Sequence, residues 1–210
     1  MRYTGPACRQ CRREGTKLFL KGTKCFTEKC PVERRQYPPG QHGQNTSRRR
    51  KASEYSRQLR EKQKIKRIYG LSERQFRNVY TDVNSLPGIT GHNLLAALEG
   101  RLDNMVYRLG FAPSRRAARQ FIRHRHIEVN GKIVDIASYA VQPGQEIRVR
   151  QASRELASVL GAMEQASRGQ SPTWLAADRD TFTGRMLERP QREQIPIAAQ
   201  EQLVVELYSK

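Results

Sequence analysis

The sequence predicts an α+β protein made of three parts. These are a Cys-rich N-terminal extension stabilised by a metal, a small all-helical domain, and a helix-helix-hairpin module with a small antiparallel sheet. Three observations predict this architecture. All four cysteines of the 210-residue chain lie within its first 30 residues. Apolar residues then recur at helical spacing as far as Gly110, and Asn130-Gly131 between alternating apolar residues is the pattern of a β-hairpin turn.

The cysteine pattern predicts a structural metal centre. Cys8 and Cys11 form C-x2-C, and after thirteen residues Cys25 and Cys30 form C-x4-C. Two short-spaced pairs joined by a loop are typical of four thiolates that close around Zn²⁺ and leave no open position for a substrate. A [4Fe–4S] cluster takes the same ligands, so the spacing leaves both cofactors open. Disulfides are disfavoured because nothing indicates secretion. Nearby cations such as Lys24 are expected to lower the thiol pKa values.

The middle of the chain predicts a pair of helices. Ser53 suits the N-cap of a helix that runs to about Tyr69 and ends at Gly70. Ser72 and Gln75 have the spacing of a capping box, which opens a second helix. A Pro-Gly pair then ends this helix and with it the helical domain.

Two further helices and the hairpin are predicted next. Asn93 begins one continuous helix that ends at Gly110, and Ser114 caps the helix that follows. Residues 127–134 form the hairpin, and the alternation over 146–150 predicts a half-buried strand.

The last sixty residues of the chain carry weaker signals. Residues 154–166 have a weak helical pattern, and the stretch around Trp174 is predicted to be a loop. Residues 203–208 match a helical face, with a strand as the competing prediction.

These elements group into three regions. Residues 1–45 form the four-cysteine metal-binding extension and a Pro/Gly-rich connector. Residues 46–92 form the helical domain, onto which 196–210 are expected to pack back. Residues 93–195 form the α+β domain, which contains the helix-helix-hairpin module at 99–150.

The positive charge is concentrated in two of these regions. The formal net charge is +19, from 39 Lys and Arg against 20 Asp and Glu. Residues 1–70 carry a net +15 and residues 99–150 a net +5, whereas residues 151–210 carry −1. Like charges at this density repel on folding, and a polyanion relieves the repulsion. A membrane is disfavoured, because no apolar run approaches the ~20 residues that a bilayer requires and the basic run at 48–51 has no apolar face.

An arginine row in the module points to folded RNA. Arg115, Arg119 and Arg123 fall four apart on the fourth helix, with Arg116 beside them. Guanidinium is planar, always charged and able to donate two hydrogen bonds to one phosphate. Folded RNA is read largely through shape, phosphate and 2′-hydroxyl contacts. A solvated helix face is the alternative interpretation of the row, and DNA remains open on charge alone.

Short segments along the whole chain resemble one family. Residues 99–150 contain Arg101-Leu102-Asp103-Asn104, Ser114-Arg115-Arg116 and His126-Ile127-Glu128-Val129-Asn130-Gly131. Other segments are Tyr37-Pro38-Pro39-Gly40-Gln41-His42-Gly43, Tyr69-Gly70-Leu71-Ser72-Glu73 and Glu201-Gln202-Leu203-Val204-Val205. With these segments in order, the chain resembles the bacterial family of small-subunit ribosomal protein four, and residues 99–150 resemble the RNA-binding module named after it. The cysteines resemble the metal-binding branch of that family.

The resemblance implies a structural constituent of the small ribosomal subunit, located in the cytoplasm, and not an enzyme. It implies binding to a helix junction in the 5′ domain of 16S-type rRNA, early in subunit assembly. Ribosomal protein five of the same subunit, with a role in translational accuracy, and mRNA at the entry channel are the implied neighbours, and some members repress their own operon. No membrane or small-molecule partner is implied. Two alternatives stay open, an RNA-modifying enzyme and a zinc-dependent nucleic-acid-binding regulator with the same module.

No catalytic residue is predicted, and the candidate site residues are metal ligands and RNA contacts. The metal ligands are the four cysteines. Arg125 stands where many members of the family have glycine, so a left-handed backbone there would be strained. The candidate rRNA-binding residues are Arg9, Arg12, Arg13, Arg34, Arg35, His42, Arg48, Arg49, Arg50, Lys51, Arg57, Arg60, Lys62, Lys64, Arg67, Tyr69, Arg115, Arg116, Arg119, Arg123, His124 and Lys132.

Overall fold

The computed structural model describes residues 3–44, 53–167 and 172–209. The chain divides into two compact units. The N-terminal unit comprises residues 1–91 and 197–210, and the C-terminal unit comprises residues 92–196. Within the described ranges, no helix has the length and apolar character needed to cross a membrane.

Nine α-helices and five β-strands are described, together with short 3-10 turns. The helices are α1 (Ala7–Glu14), α2 (Pro31–Arg34), α3 (Glu54–Ile68), α4 (Glu73–Asn84), α5 (Thr90–Glu99), α6 (Leu102–Arg108), α7 (Arg115–Arg123), α8 (Ala157–Ser167) and α9 (Glu201–Tyr208). The strands are β1 (Ile127–Val129), β2 (Lys132–Ile133), β3 (Glu146–Val149), β4 (Leu175–Asp178) and β5 (Thr183–Met186).

The helix starts of the N-terminal unit follow the predicted caps. The Ser53 hydroxyl accepts a hydrogen bond from the backbone N–H of Ser56 at 3.3 Å and begins α3. Ser72 and Gln75 form the reciprocal capping box that begins α4. Both predictions are confirmed, because the hydroxyl satisfies a first-turn N–H that has no partner within the helix.

Helix α9 completes the core of the N-terminal unit. The Tyr208 ring lies 4.6 Å from the Tyr80 ring and 6.3 Å from the Phe76 ring, between centroids. The Gln58 side chain, which is buried, donates to the Glu206 carboxylate at 3.0 Å. The segment after residue 200 is therefore a helix, and the competing strand prediction is wrong.

One predicted helix of the C-terminal unit is interrupted. Residues 93–110 form two helices, α5 and α6, because the chain turns at Gly100 and Arg101. Arg101 has extended backbone, with ψ of 141°, and pairs with Ala140 as an isolated β-bridge. The N–H of Leu102 donates to the carbonyl of Tyr139 at 2.8 Å, so a tertiary contact satisfies a donor that a continuous helix would have used.

The strands form one antiparallel sheet in the order β2-β1-β3-β5-β4. The predicted hairpin is confirmed, since Asn130 has φ of 48° and Gly131 has φ of 73°, as a type I′ turn requires. Trp174 lies in a turn, as predicted, but strands β4 and β5, which follow it directly, were not predicted. Leu175 and Met186 are buried at one end of this pair.

The sheet and helices α6 and α7 enclose the core of the C-terminal unit. Its buried residues include Val106, Ile122 and Ile147, together with Trp174, the only tryptophan of the chain. This packing positions α7 and the β1–β2 hairpin as one body, because both contribute side chains to the same cluster.

Candidate nucleic-acid interface

Helix α7 presents a different face from the one predicted. Ser114 caps it by accepting a hydrogen bond from the Ala117 N–H at 3.3 Å. Arg116, Gln120 and Arg123 are exposed, whereas Arg119 is only 7% exposed. The exposed positions recur at i, i+4 and i+7, which is one side of an α-helix. The solvent side of α7 is therefore shifted by one residue from the predicted row.

Arg119 is part of a buried ion-pair cluster. Its guanidinium donates through Nε to a carboxylate oxygen of Asp103 at 3.0 Å and through Nη2 to the same oxygen. Arg101 binds the same carboxylate through Nε at 3.1 Å and Nη2 at 2.9 Å. Asp103 is 3% exposed. Arg119 therefore lies inside the protein, where it shares one carboxylate with Arg101.

A second buried carboxylate holds the start of α7. The Glu99 side chain accepts two hydrogen bonds from Arg108, at 2.9 and 2.8 Å, and one from the Asn104 amide at 2.8 Å. Arg115 donates to Asn104 at 2.7 Å and stacks 4.5 Å from the Tyr107 ring centroid. Arg115 is therefore half-buried, and its fixed position supports the helix rather than extending into solvent.

The exposed basic side chains of α7, of the residues directly after it and of the hairpin form one surface, the cation face. No Asp or Glu occurs between Asp103 and Glu128. Within the described residues, Arg123 and Lys132 make no ion pair. A surface with this excess of positive charge can bind several phosphates at once. The cation face consists of Arg116, Arg123, Arg125 and Lys132, and the exposed His124 lies beside it in sequence.

The two histidines beside the cation face lie close together. The rings of His124 and His126 are 5.9 Å apart between centroids, and His126 Nδ1 lies 2.9 Å from the Ser153 hydroxyl. Burial lowers the pKa of His126, and the charges of His124 and Arg150 lower it further. His126 therefore holds a proton less tightly than a free imidazole does.

Arg125 belongs to the cation face although the sequence did not place it among the candidates. Its φ is 61°, in the left-handed region that favours glycine. Its side chain is exposed and lies 3.4 Å from the Asp135 carboxylate. The sequence signal was the departure from the glycine of the family, and the structure shows that the backbone there is in the left-handed region in which a non-glycine residue is strained.

Arg125→Gly is expected to be more stable than Arg125→Ala by about 1 kcal/mol. Both variants lose the guanidinium and its ion pair with Asp135, so they differ only in the Cβ at a left-handed position. Urea unfolding followed by Trp174 fluorescence measures the difference. Equal stability of the two variants would contradict a left-handed backbone at this residue.

Several predicted contacts of the N-terminal unit are also structural. Lys62 is buried and binds Glu73 at 2.5 Å, while Lys66 binds the other oxygen at 2.6 Å. Burial opposes ionisation of Glu73, but these hydrogen bonds lower its pKa to about 2. Tyr69 is 2% exposed and belongs to the core. Lys62 and Tyr69 are thus both buried candidates, in contrast to the exposed cations of this unit.

Other candidates connect parts of the N-terminal unit. Arg60 and Arg67 both bind the buried carboxylate of Glu14, and burial raises the pKa of that carboxyl against the effect of the two cations. Arg12 donates to the carbonyl of Tyr37 at 3.0 Å and stacks on the Tyr37 ring. Salt bridges thus connect α1 to α3, and a hydrogen bond and a cation–π contact connect α1 to the connector.

The remaining candidates differ in their exposure. Lys64 is half-buried and binds Glu61 at 2.6 Å. The predicted residues 48–51 lie outside the described residues. The exposed candidates of this unit are Arg9, Arg13, Arg34, Arg35, His42 and Arg57.

The four cysteines are free thiols gathered in the small N-terminal subdomain. Cys11, Cys25 and Cys30 are buried and Cys8 is partly exposed. Burial raises the pKa of Cys11 and Cys25, so the expected lowering by cations is wrong for these two. The donor set is right in number and kind for a tetrahedral thiolate site. As placed, however, no three Cys, His, Asp or Glu side chains of the described ranges lie close enough to hold a metal.

Comparison with known proteins identifies the family. Residues 2–99 match the family described as "Ribosomal protein S4/S9 N-terminal domain", and residues 100–147 match the "S4 domain". The chain is 55% identical to small ribosomal subunit protein uS4 of Natranaerobius thermophilus, over 100% of this chain and 99% of the relative. The chain belongs to the uS4 family. The uS4 proteins of Thermoanaerobacter sp. and Thermus thermophilus are 56% and 53% identical over the same shares.

Membership of the uS4 family confirms the resemblance drawn from the sequence segments. The boundary between the two matched regions falls at Gly100, where the chain turns between α5 and α6. The relatives that match from end to end are named as ribosomal proteins. The uS4 family is structural rather than enzymatic, and the alternative of an RNA-modifying enzyme is therefore wrong.

Proposed function

We propose that this uS4 chain is a structural constituent of the small ribosomal subunit and binds its rRNA without catalysing a reaction. The observation that carries the proposal is the cation face on a rigid module. Its cations project from a helix and a hairpin that share one core, and the buried carboxylates of Glu99 and Asp103 fix the helix below them. A rigid backbone below these cations suits a folded RNA, because little backbone freedom is lost on binding.

A more specific role is supported by the family resemblance. The chain binds a helix junction in the 5′ domain of 16S-type rRNA and does so early, which nucleates assembly of the subunit. Its neighbours are ribosomal protein five, with which it contributes to translational accuracy, and mRNA at the entry channel. Binding to its own mRNA would repress its operon.

A salt titration of rRNA binding tests the function. The purified chain is titrated against a transcript of the 5′ domain and against duplex DNA of equal length. If roughly 6–10 phosphates are neutralised, affinity for the transcript falls by about a thousand- to a hundred-thousand-fold between about 50 and 200 mM salt. Equal affinity for the DNA would favour the zinc-dependent nucleic-acid-binding regulator instead.

We also propose that Cys8, Cys11, Cys25 and Cys30 hold a structural metal, Zn²⁺ in preference to a [4Fe–4S] cluster. Support comes from the four free thiols of one subdomain, three of them buried in a segment with few other apolar residues. All four cysteines of the chain fall between residues 8 and 30, in two short-spaced pairs. When bound, the metal would link α1 to the segment before α2 and supply no chemistry.

Cys25→Ser is expected to release the metal and to make residues 1–40 sensitive to protease, while residues 99–150 stay folded. Metal content and visible absorbance of the purified chain distinguish zinc from an iron–sulfur cluster. The fluorescence of Trp174, which lies in the other unit, is the internal control. An N-terminal segment that remains protease-resistant in the variant would show that no metal is needed to fold it.

A further inference from the structure

An exposed aromatic pair in the N-terminal unit is not explained by the cation face. The rings of Phe19 and Phe26 stack with centroids 5.1 Å apart and planes inclined by 29°. Phe26 is 72% exposed and Phe19 is 38% exposed. Phenylalanine side chains are most often buried, so two that stack on each other in solvent indicate a surface that a partner covers.

The backbone holds both rings at the surface. Phe19 has φ of 51°, a conformation that bulky side chains rarely adopt, and it follows the buried Leu18. Phe26 follows the buried Cys25, and its N–H donates to the carbonyl of Thr23 at 2.9 Å. Each ring therefore follows a residue that is buried in the interior, and the two rings stack on each other at the surface.

Lysines without an ion-pair partner in the described residues lie close to the two phenylalanines along the sequence. Lys21, Lys24 and Lys29 are exposed, and none makes an ion pair with any residue in the described ranges. Glu28 is the only carboxylate between residues 15 and 32. The loop thus combines an aromatic surface with an excess of positive charge, which is the combination that binds single-stranded nucleic acid.

We propose that Phe19 and Phe26 form a stacking platform for an unpaired base of the small-subunit rRNA. Lys21, Lys24 and Lys29 bind the phosphates on either side of that base. The proposal rests on the proposed function, since it takes rRNA as the ligand. It adds a contact with a base, whereas the cation face contacts only phosphates. Any of the four bases can stack, because each has a π-face.

Three substitutions at one position test the platform. Phe26→Ala is expected to bind the 5′-domain transcript roughly 5- to 100-fold more weakly than the unmodified chain. Phe26→Trp should bind at least as tightly as the unmodified chain, and Phe26→Leu should be nearly as weak as Phe26→Ala. The salt slope stays the same in all three, because no charge changes. Leu187→Ala, at an exposed apolar residue of the C-terminal unit, is the control and leaves binding unchanged.

Two further variants complete the test. Phe19→Ala should show the same loss as Phe26→Ala, and Lys24→Ala with Lys29→Ala should reduce the salt slope by about two. Thermal unfolding of each variant checks that the loss does not come from misfolding. Transcript binding by Phe26→Ala or Phe26→Leu equal to that of the unmodified chain would overturn the platform alone. Failure of the unmodified chain to bind the transcript would instead overturn the proposed function.

Discussion

Asp103→Ala lowers the free energy of unfolding of the C-terminal unit by about 3–5 kcal/mol in our prediction. The variant removes the carboxylate that Arg101 and Arg119 share inside the protein. Two buried guanidinium groups would then lose the carboxylate that they share, and breaking a buried ion pair in this way costs more than the pair itself contributes. Urea unfolding followed by the fluorescence of Trp174 measures the effect, since that residue is buried in the same core.

Asp135→Ala is the matched control for this experiment. It also removes one carboxylate that is paired with an arginine, but both side chains of this Arg125–Asp135 pair are exposed. An exposed pair contributes about 0–1 kcal/mol, so the control should unfold almost as the unmodified chain does. If Asp103→Ala unfolded like Asp135→Ala, the buried cluster would have no part in stability.

Arg116→Ala combined with Arg123→Ala is expected to weaken binding to the 5′-domain transcript by about 10- to 100-fold at ~0.1 M salt. Both residues lie on the exposed side of α7. Removing two phosphate contacts should also reduce the salt slope by about two. Stability should stay nearly unchanged, because both side chains are exposed and the capping side chain, Ser114, is retained.

A second pair of arginines, one on β5 and one shortly after it, provides a charge-matched control. Arg185 and Arg189 are exposed, and their replacement by alanine removes the same two positive charges. Neither belongs to the cation face, so the salt slope should stay close to that of the unmodified chain. Equal slopes for the two double variants would mean that RNA senses only the total charge of the protein and not a defined face.

Local capping and turn chemistry could be predicted from the sequence. Ser53, Ser72 and Ser114 all cap the helices that they were expected to cap. Asn130-Gly131 forms the expected turn. These features are determined within three or four residues of each other, so no knowledge of the rest of the chain is needed.

Features that depend on distant partners could not be predicted. Apolar periodicity runs from α5 into α6, and only the bridge between Arg101 and Ala140 shows why the helix is broken. Strands β4 and β5 lack a run of β-branched residues, and they are strands because β3 offers β5 a partner. Tertiary pairing outweighed local propensity in both places.

The candidate site was predicted in location but not in detail. By its spacing on α7, Arg119 was expected to lie on the surface. The carboxylate that binds it, that of Asp103, lies sixteen residues earlier, on α6. Lys62 was a candidate rRNA-binding residue in the sequence analysis. In the structure it binds Glu73, which lies on the next helix. Partners on other elements determine whether a basic side chain faces solvent or the interior. The spacing of that residue on its own helix does not reveal those partners.

The return of α9 to the N-terminal unit has a consequence for the order of biosynthesis. Residues 197–209 leave the translating ribosome after the whole of residues 92–196, so the C-terminal unit can fold first. Until then, Phe76 and Tyr80 lack the Tyr208 ring that packs on them. A nascent chain halted after residue 196 would therefore expose these aromatic residues to chaperones and proteases, so quality control can discard an unfinished copy before it reaches an assembling subunit.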